Sequence, residues 1–242
     1  MKITSVHMFW AYGNLSNLEK ICCSSFVSQG YELNLWTYGD MSNAPIGVKL
    51  KDAREILPED TLFLNSMGSY AGFSDLFRYA VLNSVGGLYS DTDVIALKPP
   101  SILPENPFLV TEKIQGIEGR SKINGNILFN PIPKIGNVVD LAYAYSMRFP
   151  KTDITWSEIG PDLLTAIVTI YQKHGFLIQN TDYANSVNYW DCPNALLAPG
   201  YKLSDNAAFL HCYNEMWRRL GIDKNACFPK DSIMDRMACN YL

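Results

Sequence analysis

Residues 74–94 read SDLFRYAVLNSVGGLYSDTDV, and this pattern predicts a helix, a two-glycine stop and then a strand. Ser74 is a favourable N-cap, because its hydroxyl can accept a hydrogen bond from an unpaired amide of the first turn. Asp75 suits the positive end of the helix dipole. Apolar residues follow with helical spacing, and Gly86-Gly87 ends the helix. The stretch therefore predicts a helix that packs on a sheet.

Alternation resumes over residues 88–97 and predicts one continuous strand. Tyr89, Asp91 and Asp93 would then share one face of the sheet. Two neighbouring carboxylates are costly unless a positive charge lies between them. Oxygen ligands suit Mg²⁺ or Mn²⁺ better than Zn²⁺, so the pair predicts a divalent metal site. A D-x-D triplet alone is also compatible with a solvated turn, and only the surrounding stretch favours the metal.

Composition indicates an ordinary globular protein that fits one domain over residues 1–242. Hydrophobic residues make up 48% of the chain and charged residues 18%. The net charge of −4 and the lack of a basic tract argue against a nucleic-acid partner. Six cysteines without C-x-x-C spacing favour buried, reduced thiols and a reducing compartment.

The order of the elements predicts an α/β fold. Residues 2–10 and 31–38 read as strands and residues 17–28 as the helix between them, which indicates a parallel βαβ unit. We therefore expect a mostly parallel, Rossmann-like central sheet flanked by helices. Later helices are predicted over residues 133–149, 159–174 and 224–242, and later strands over residues 176–179 and 207–212.

The central stretch resembles the signature of the DXD-containing sugar transferases, in which D-x-x-R-Y precedes G-G-x-Y-x-D-x-D. The matching positions are Asp75, Arg78, Tyr79, Gly86, Gly87, Tyr89, Asp91 and Asp93. Similar families are the Och1-like mannosyltransferases, the α-1,4-galactosyltransferases and, more distantly, the glycosyltransferase domains of the clostridial toxins. The resemblance implies a GT-A type fold, with a nucleotide-sugar-binding half at residues 1–100 and an acceptor-side half with a C-terminal segment at residues 101–242.

The resemblance also implies roles for individual side chains. Asp91 and Asp93 would bind the Mn²⁺ or Mg²⁺ ion and the nucleotide. Asp75 and Arg78 would hold the donor sugar and its phosphate. Tyr89 would lie near the nucleotide or the phosphates. These residues form the expected catalytic and donor-binding set.

Two residues of the first strand, His7 and Trp10, resemble the H-x-x-W start of the same transferases. The tryptophan would stack on the donor base, although an indole in the core explains Trp10 equally well. His7 has no carboxylate or cysteine partner in the pattern, which favours a structural role over a catalytic one.

Four further segments contribute candidates. Asn124-Gly125-Asn126 reads as a turn before a strand, and its asparagines would approach the sugar, although turn chemistry alone explains them nearly as well. Gly160-Pro161 resembles a family G-P-x-x-L-T segment, although proline at a first helical position is a sufficient structural reason. Residues 114–122 read as a flexible segment, a surface loop rather than a lid. Late in the chain, His211 and Trp217 resemble an H-x₅-W ending, with His211 as a third metal ligand, Asn214 as its substitute and Trp217 as a cover. His211 is also compatible with a satisfied core position.

The expected activity is metal-dependent transfer of a hexose, with retention, from a UDP-sugar to a glycan hydroxyl. In a bacterium the acceptor would be a lipid-linked oligosaccharide of O-antigen, capsule or lipooligosaccharide (lipopolysaccharide) synthesis. The N-terminus shows no signal peptide, and the longest apolar stretch, residues 163–171, falls short of the roughly 20 residues of a membrane span. We expect a cytoplasmic protein with peripheral association at the inner membrane.

Two alternatives belong to other classes. A haloacid-dehalogenase-like phosphatase would use Asp91 as nucleophile, but its D-x-D follows the first strand, and the D-x-x-R-Y helix has no role in it. A non-catalytic glycan-binding domain would stack its aromatic residues, 12% of the chain, on sugar rings.

Overall fold

The computed structural model describes residues 5–149, 154, 155 and 157–242. Its strands are β1 (Ser5–Phe9), β2 (Glu32–Thr37), β3 (Lys49–Asp52), β4 (Gly87–Ser90), β5 (Val94–Ala96), β6 (Phe108–Lys113), β7 (Ser121–Asn130), β8 (Leu177–Gln179) and β9 (Phe209–His211). Its α-helices are α1 (Asn17–Ser28), α2 (Ala71–Ser84), α3 (Val138–Ser146), α4 (Pro161–Ile170), α5 (Asn194–Leu197), α6 (Asn214–Arg219) and α7 (Ile233–Tyr241).

A mixed, mostly parallel sheet forms the centre of the fold. Seven strands lie in the order β3-β2-β1-β4-β7-β6-β8. The first four are mutually parallel, β7 is antiparallel to both of its neighbours, and β8 is parallel to β6. A second, two-stranded sheet pairs β5 with β9. The expected α/β fold with helices around a central sheet is confirmed.

The βαβ unit is present where the sequence predicts it. Helix α1 connects β1 to β2, which pair in parallel from Ser5 opposite Glu32. Ser16 and Glu19 form a capping box at the start of α1, which satisfies amides that the helix itself leaves unpaired. The part of the first strand predicted over residues 2–4 lies outside the described residues.

Side chains alternate between the two faces of the central sheet, so the hydrophobic core consists of separate clusters on each face. Phe9 of β1 packs with α2, α3 and α4 on one face. Met8 packs with residues of α1 and of the small sheet on the other face. A third cluster joins α1 to β9, Trp217 and α7. The core is therefore divided into a cluster with helices on one face of the central sheet, a cluster with α1 and the small sheet on the other face, and a third beside α7.

Several predicted boundaries differ from the structure. Helix α2 begins at Ala71 with Tyr70 as N-cap, so Ser74 lies inside the helix, and its hydroxyl lies 3.0 Å from that of Tyr89. The helix predicted over residues 224–242 is limited to α7, which follows an N-cap at Ser232. Gly86 and Gly87 both have positive φ, as the predicted stop requires.

All six cysteines are free, and four of them are buried. No helix in the described ranges is both long and apolar enough to span a bilayer.

Candidate active site

The two carboxylates lie in a turn between two sheets, not on one continuous strand. Strand β4 ends at Ser90, and the Asp91 amide donates to the Asn126 carbonyl at 2.9 Å. The Val94 amide then donates to the Asp91 carbonyl at 3.3 Å, which closes the turn. The chain leaves the central sheet here because β5 pairs with β9 instead. The turn directs Asp91 and Asp93 into the cleft.

The small sheet brings a histidine to this turn. Val94 of β5 lies opposite His211 of β9, and the Cys212 amide donates to the Asp93 carbonyl at 2.8 Å. Nε2 of His211 lies 3.5 Å from a carboxylate oxygen of Asp93. Ligand atoms of Asp91, Asp93 and His211 all lie within 4.8 Å of one another. The structure therefore brings together the three residues that the sequence predicts as metal ligands.

Asp93 and His211 form a buried pair that favours the charged forms. Burial alone would raise the pKa of Asp93, but His211 and the Asn214 amide, which donates at 2.7 Å, hold it below its usual value. Burial alone would lower the pKa of His211, but the Asp93 carboxylate raises it instead. Asn214, predicted as a substitute ligand, thus contributes its backbone amide.

Arg78 connects the helix to the turn. Its guanidinium binds Asp75 one helical turn earlier, donates to Asp91 at 2.8 Å and lies 4.9 Å from the ring centroid of Tyr89. Its Nε has no hydrogen-bond partner within the described residues. Burial raises the pKa of Asp75 to about 6, although Arg78 opposes the shift. The cleft therefore holds one buried cation between two carboxylates.

Two glycines leave the space that this cluster needs. A Cβ at Gly125 would overlap Nη1 of Arg78, and a Cβ at Gly160 would overlap Oδ2 of Asp75. The Asn124-Gly125-Asn126 segment is not a turn before a strand, as predicted, but part of β7. The β6–β7 register shifts beside it, between Leu109 and Val110. An irregularity of this kind re-aims side chains, and here it brings the backbone of Gly125 against the guanidinium.

The site opens into a cavity of about 900 Å³. Its wall includes Trp10, half-buried, whose Nε1 has no partner within the described residues. Lys224 lies 5.9 Å from the centroid of the Trp10 ring and forms an ion pair with the fully buried Glu19. Glu112, which also lines the cavity, accepts from Asn124 at 2.7 Å. The wall thus combines an aromatic and basic pair, a polar pair and the carboxylates of the D-x-D turn.

Eight of the predicted site residues line this cavity: Trp10, Asp75, Arg78, Asp91, Asp93, Asn124, His211 and Asn214. Tyr89 and Asn126 are buried behind the wall, where Tyr89 lies against Arg78 and Asn126 donates to Asn185 at 3.1 Å. Trp217 does not cover the cavity as predicted. It is fully buried in the third core cluster, and its Nε1 donates to the Cys212 carbonyl at 2.8 Å.

Sequence reasoning overlooked four residues that the structure places at or directly behind the cavity: Glu112, Asn185, Lys224 and Glu19. No short motif marks any of them. Asn185 lies in a stretch without periodicity, and Lys224 lies in a segment predicted as helix. Glu19 was visible only as the acidic residue of the α1 capping box.

The residues at the turn fit a divalent cation of the Mn²⁺ or Mg²⁺ type. Two carboxylates of one turn and an imidazole of β9 converge, and the negative charge of the carboxylates suits a cation. Asp91 already accepts from Arg78 through Oδ1 and Asp93 from the Asn214 amide through Oδ2, so each keeps a second oxygen for an ion. His211 would supply Nε2.

The fold is of the GT-A type, and the site is a D-x-D turn at the end of β4. Residues 15–109 match the family described as the glycosyltransferase sugar-binding region containing DXD motif. This matched stretch is about two fifths of the chain and includes the D-x-D turn, in agreement with the resemblance seen in the sequence.

Individual relatives are distant. The human alpha-1,4-N-acetylglucosaminyltransferase is 27% identical over 100 residues, which are 41% of this chain and 26% of that enzyme. The chain thus spans about a quarter of this curated relative. Two solved structures share the fold. The PaToxG glycosyltransferase is 19% identical with a TM-score of 0.50 over 70% of both chains. The apo glycosyltransferase GlyE of Streptococcus pneumoniae TIGR4 is 15% identical with a TM-score of 0.52, over 99% of this chain and 60% of that one.

Proposed function

We propose that this chain transfers a hexose from a nucleotide sugar, a UDP-sugar in the simplest case, to a hydroxyl of a growing glycan, with a divalent cation at Asp91, Asp93 and His211. One observation carries the proposal. The three ligand residues and Arg78 line one cavity that is large enough for a nucleotide sugar.

The chain's own residues would divide the work along the cavity. A divalent cation, when bound, would act as a Lewis acid on the diphosphate leaving group. Arg78 would place its fixed positive charge near the same diphosphate, where negative charge grows as the sugar–oxygen bond breaks. Asp75, held by Arg78, would accept hydrogen bonds from the sugar hydroxyls and fix the ring. Trp10 would stack on the base.

The ligand set favours Mn²⁺ over Mg²⁺. Mg²⁺ is bound almost entirely through oxygen atoms, whereas His211 offers a nitrogen. The two carboxylates are still available to Mg²⁺. We therefore expect Mg²⁺ to support weaker nucleotide release than Mn²⁺, rather than none. Retention of the anomeric configuration follows from the family resemblance alone.

The acceptor side of the proposal rests on a polar group of side chains in the cavity wall. Glu112, Lys122 and Asn124 offer a carboxylate, an ammonium and an amide side by side, and Lys122 lies 3.6 Å from Glu112. Such a set is suited to glycan hydroxyls. We propose a lipid-linked oligosaccharide of O-antigen, capsule or lipooligosaccharide synthesis as the acceptor, met by peripheral association at the cytoplasmic face of the inner membrane.

The test incubates the purified protein with a panel of nucleotide sugars and Mn²⁺ and follows nucleotide release. We expect release from one donor, lost on addition of a chelator and reduced at least about a hundredfold in Asp93→Ala. Asp52→Ala is the matched control, because Asp52 is an exposed carboxylate that pairs only with Arg54 and lies away from the cavity. Unchanged release in both Asp91→Ala and Asp93→Ala would exclude the metal site.

A further inference from the structure

We propose that Asn185 is a positioning residue for the metal site: it holds His211 in the tautomer protonated at Nδ1, so that Nε2 presents its lone pair to the cation. The inference rests on the proposed function for its purpose, but the hydrogen at Nδ1 is a property of the protein without any ligand.

Asn185 lies at the centre of a buried hydrogen-bond network behind the cavity wall. Its side chain is almost fully buried, with 1% of the residue exposed. Its Oδ1 lies 3.1 Å from Nδ1 of His211 and accepts from the Tyr213 hydroxyl at 3.2 Å and from the Asn126 amide at 3.1 Å. Its Nδ2 donates to the Thr111 carbonyl at 3.0 Å.

The Thr111 carbonyl determines which way the amide of Asn185 points. A backbone carbonyl can only accept, so the group within 3.0 Å of it must be the Asn185 NH₂. The oxygen is then on the side of His211. The Tyr213 hydroxyl and the Asn126 amide agree, because each has a hydrogen to donate to that oxygen.

An oxygen at Nδ1 determines the tautomer of the imidazole. If Nδ1 were unprotonated, two lone pairs would face each other at 3.1 Å in a buried site, which is unfavourable. Nδ1 therefore carries a hydrogen in the neutral and in the charged ring alike. Nε2 faces the Asp93 carboxylate at 3.5 Å, so it shares a proton with that carboxylate until a cation replaces the proton. With a cation at Nε2 the ring is the tautomer protonated at Nδ1, which is the minor one of free histidine.

The backbone around Asn185 supports the same arrangement. The His211 amide donates to the Ala184 carbonyl at 3.0 Å, and the Asn185 amide donates to the Thr181 carbonyl at 2.7 Å. The segment of Asn185 is thus bonded to β9 through the Ala184 carbonyl, and its side chain is bonded to β6 through the Thr111 carbonyl. Ring orientation and proton position are both determined from outside the cavity, as is usual for outer partners of metal-binding histidines.

The other two histidines provide internal references. Nδ1 of His7 accepts from the Trp36 indole at 3.1 Å, and Nδ1 of His174 accepts from the Phe176 amide at 3.0 Å. Both donors point at Nδ1, so these rings carry their hydrogen on Nε2 when neutral. The chain has three histidines, and His211 is the one in which the tautomer is reversed.

The experiment records two-bond ¹H–¹⁵N spectra of the imidazole rings in the metal-free wild type at mildly alkaline pH. We expect a hydrogen-bearing Nδ1 in His211, whether its ring is neutral or charged, and a pyridine-type Nδ1 in His7 and His174. A pyridine-type Nδ1 at His211 would overturn the proposal. Because no donor or metal is present, a negative transferase assay bears only on the proposed function.

Variants test the role toward the ion, with Mn²⁺ alone as probe and the free-ion signal in electron paramagnetic resonance as readout. Asn185→Leu removes the acceptor and is expected to weaken Mn²⁺ binding 10–100-fold. Asn185→Asp keeps an oxygen at Nδ1 but loses the bond to the Thr111 carbonyl, and it should retain more Mn²⁺ binding than Asn185→Leu together with the hydrogen at Nδ1. Tyr213→Phe, the matched control, removes another bond to the same Oδ1 and should leave the His211 tautomer unchanged.

Each outcome decides the matter. Mn²⁺ binding by a folded Asn185→Leu that equals wild type would overturn the proposal. If Asn185→Leu does not fold, Asn185→Asp and the wild-type spectrum still decide, since a lost Nδ1 hydrogen in either contradicts the role of the oxygen.

Discussion

His7 lies inside the sheet, away from the cavity, and its ring is buried against Trp36 and Gly87. Burial lowers its pKa to about 4, because the charged form would lose its hydration. The neutral ring accepts from the Trp36 indole, a bond that protonation at Nδ1 would remove. The structure thus agrees with the sequence analysis in giving His7 a structural role.

The His7 shift predicts a pH dependence of the free energy of unfolding. Since the folded-state pKa is depressed, the contribution is fully present above the unfolded value of 6.5 and is lost as pH falls through about 4. The shift corresponds to roughly 3 kcal/mol. Urea unfolding across this range should show the loss in wild type and a smaller one in His7→Gln. His174→Gln, on the half-buried third histidine, should retain the wild-type slope; equal slopes in His7→Gln and wild type would contradict the prediction.

Arg78 predicts a sharp difference between arginine and lysine. In Arg78→Lys the ammonium cannot bind Asp75 and Asp91 at once with two separate nitrogens, as the guanidinium does. Nucleotide release should fall about a hundredfold, or by about 3 kcal/mol of barrier. Arg54→Lys is the matched control, because Arg54 also bridges two carboxylates, Asp52 and Glu59, but on the surface. Comparable losses in both variants would show that the effect is not specific to the site.

Individual residues were predictable where a local pattern carried them. The spacing of Asp75, Arg78, Asp91 and Asp93 is a matter of 19 consecutive positions, and the structure places all four at one cavity. The prediction that Trp217 covers the cavity was wrong. An indole buries a large area wherever it lies, and sequence spacing does not show whether it faces the cavity or the core. Asn185 was overlooked because its partners come from distant segments.

At the scale of elements, the D-x-D turn and the irregular part of β7 both contact Arg78. The turn does so with the carboxylate of Asp91, and β7 with the bare backbone of Gly125. The pattern over residues 88–97 predicts a strand because alternation continues through the turn, but pairing partners determine where a strand ends. Asn-Gly-Asn likewise favours a turn until tertiary contact requires an irregular strand there.

Gly125 predicts a loss of activity from a single methyl group. In Gly125→Ala the new Cβ would overlap Nη1 of Arg78, so either the guanidinium or β7 must move. We expect nucleotide release to fall at least about tenfold, since small displacements of positioned groups are costly to catalysis. Gly72→Ala is the control, because its Cβ would come no closer than 3.3 Å to a side chain, that of Phe63, and would meet Ile154 and Asn65 at ordinary contact distance. Full activity in Gly125→Ala would contradict the geometry of the guanidinium.

At the scale of the whole molecule, the α/β order and the first βαβ unit followed from periodicity, because local patterns dominate there. The second sheet did not, because β5 and β9 are short and over a hundred residues apart. The family match ends at residue 109, before β9 and the Asn185 network. The third metal ligand therefore depended on one weaker resemblance, His211 before Trp217.

The distribution of thiols predicts a simple count. Cys22, Cys23, Cys192 and Cys212 are buried, and burial raises the pKa of Cys23 to about 12, which suppresses its thiolate. Cys227 and Cys239 are exposed. An aromatic disulfide reagent should therefore label two thiols rapidly in the native protein and six after unfolding without reductant. Fewer than six after unfolding would reveal a disulfide and contradict the reduced state.

The pairing of β5 with β9 has a consequence for protein synthesis. His211 follows Asp93 by 118 positions, so the acidic pair is translated roughly 6–24 s before the histidine at ordinary elongation rates. During that interval a nascent polypeptide holds two carboxylates without their imidazole partner. If the proposed cation binds there, it can be captured only after the late strand has been made and docks beside the early one.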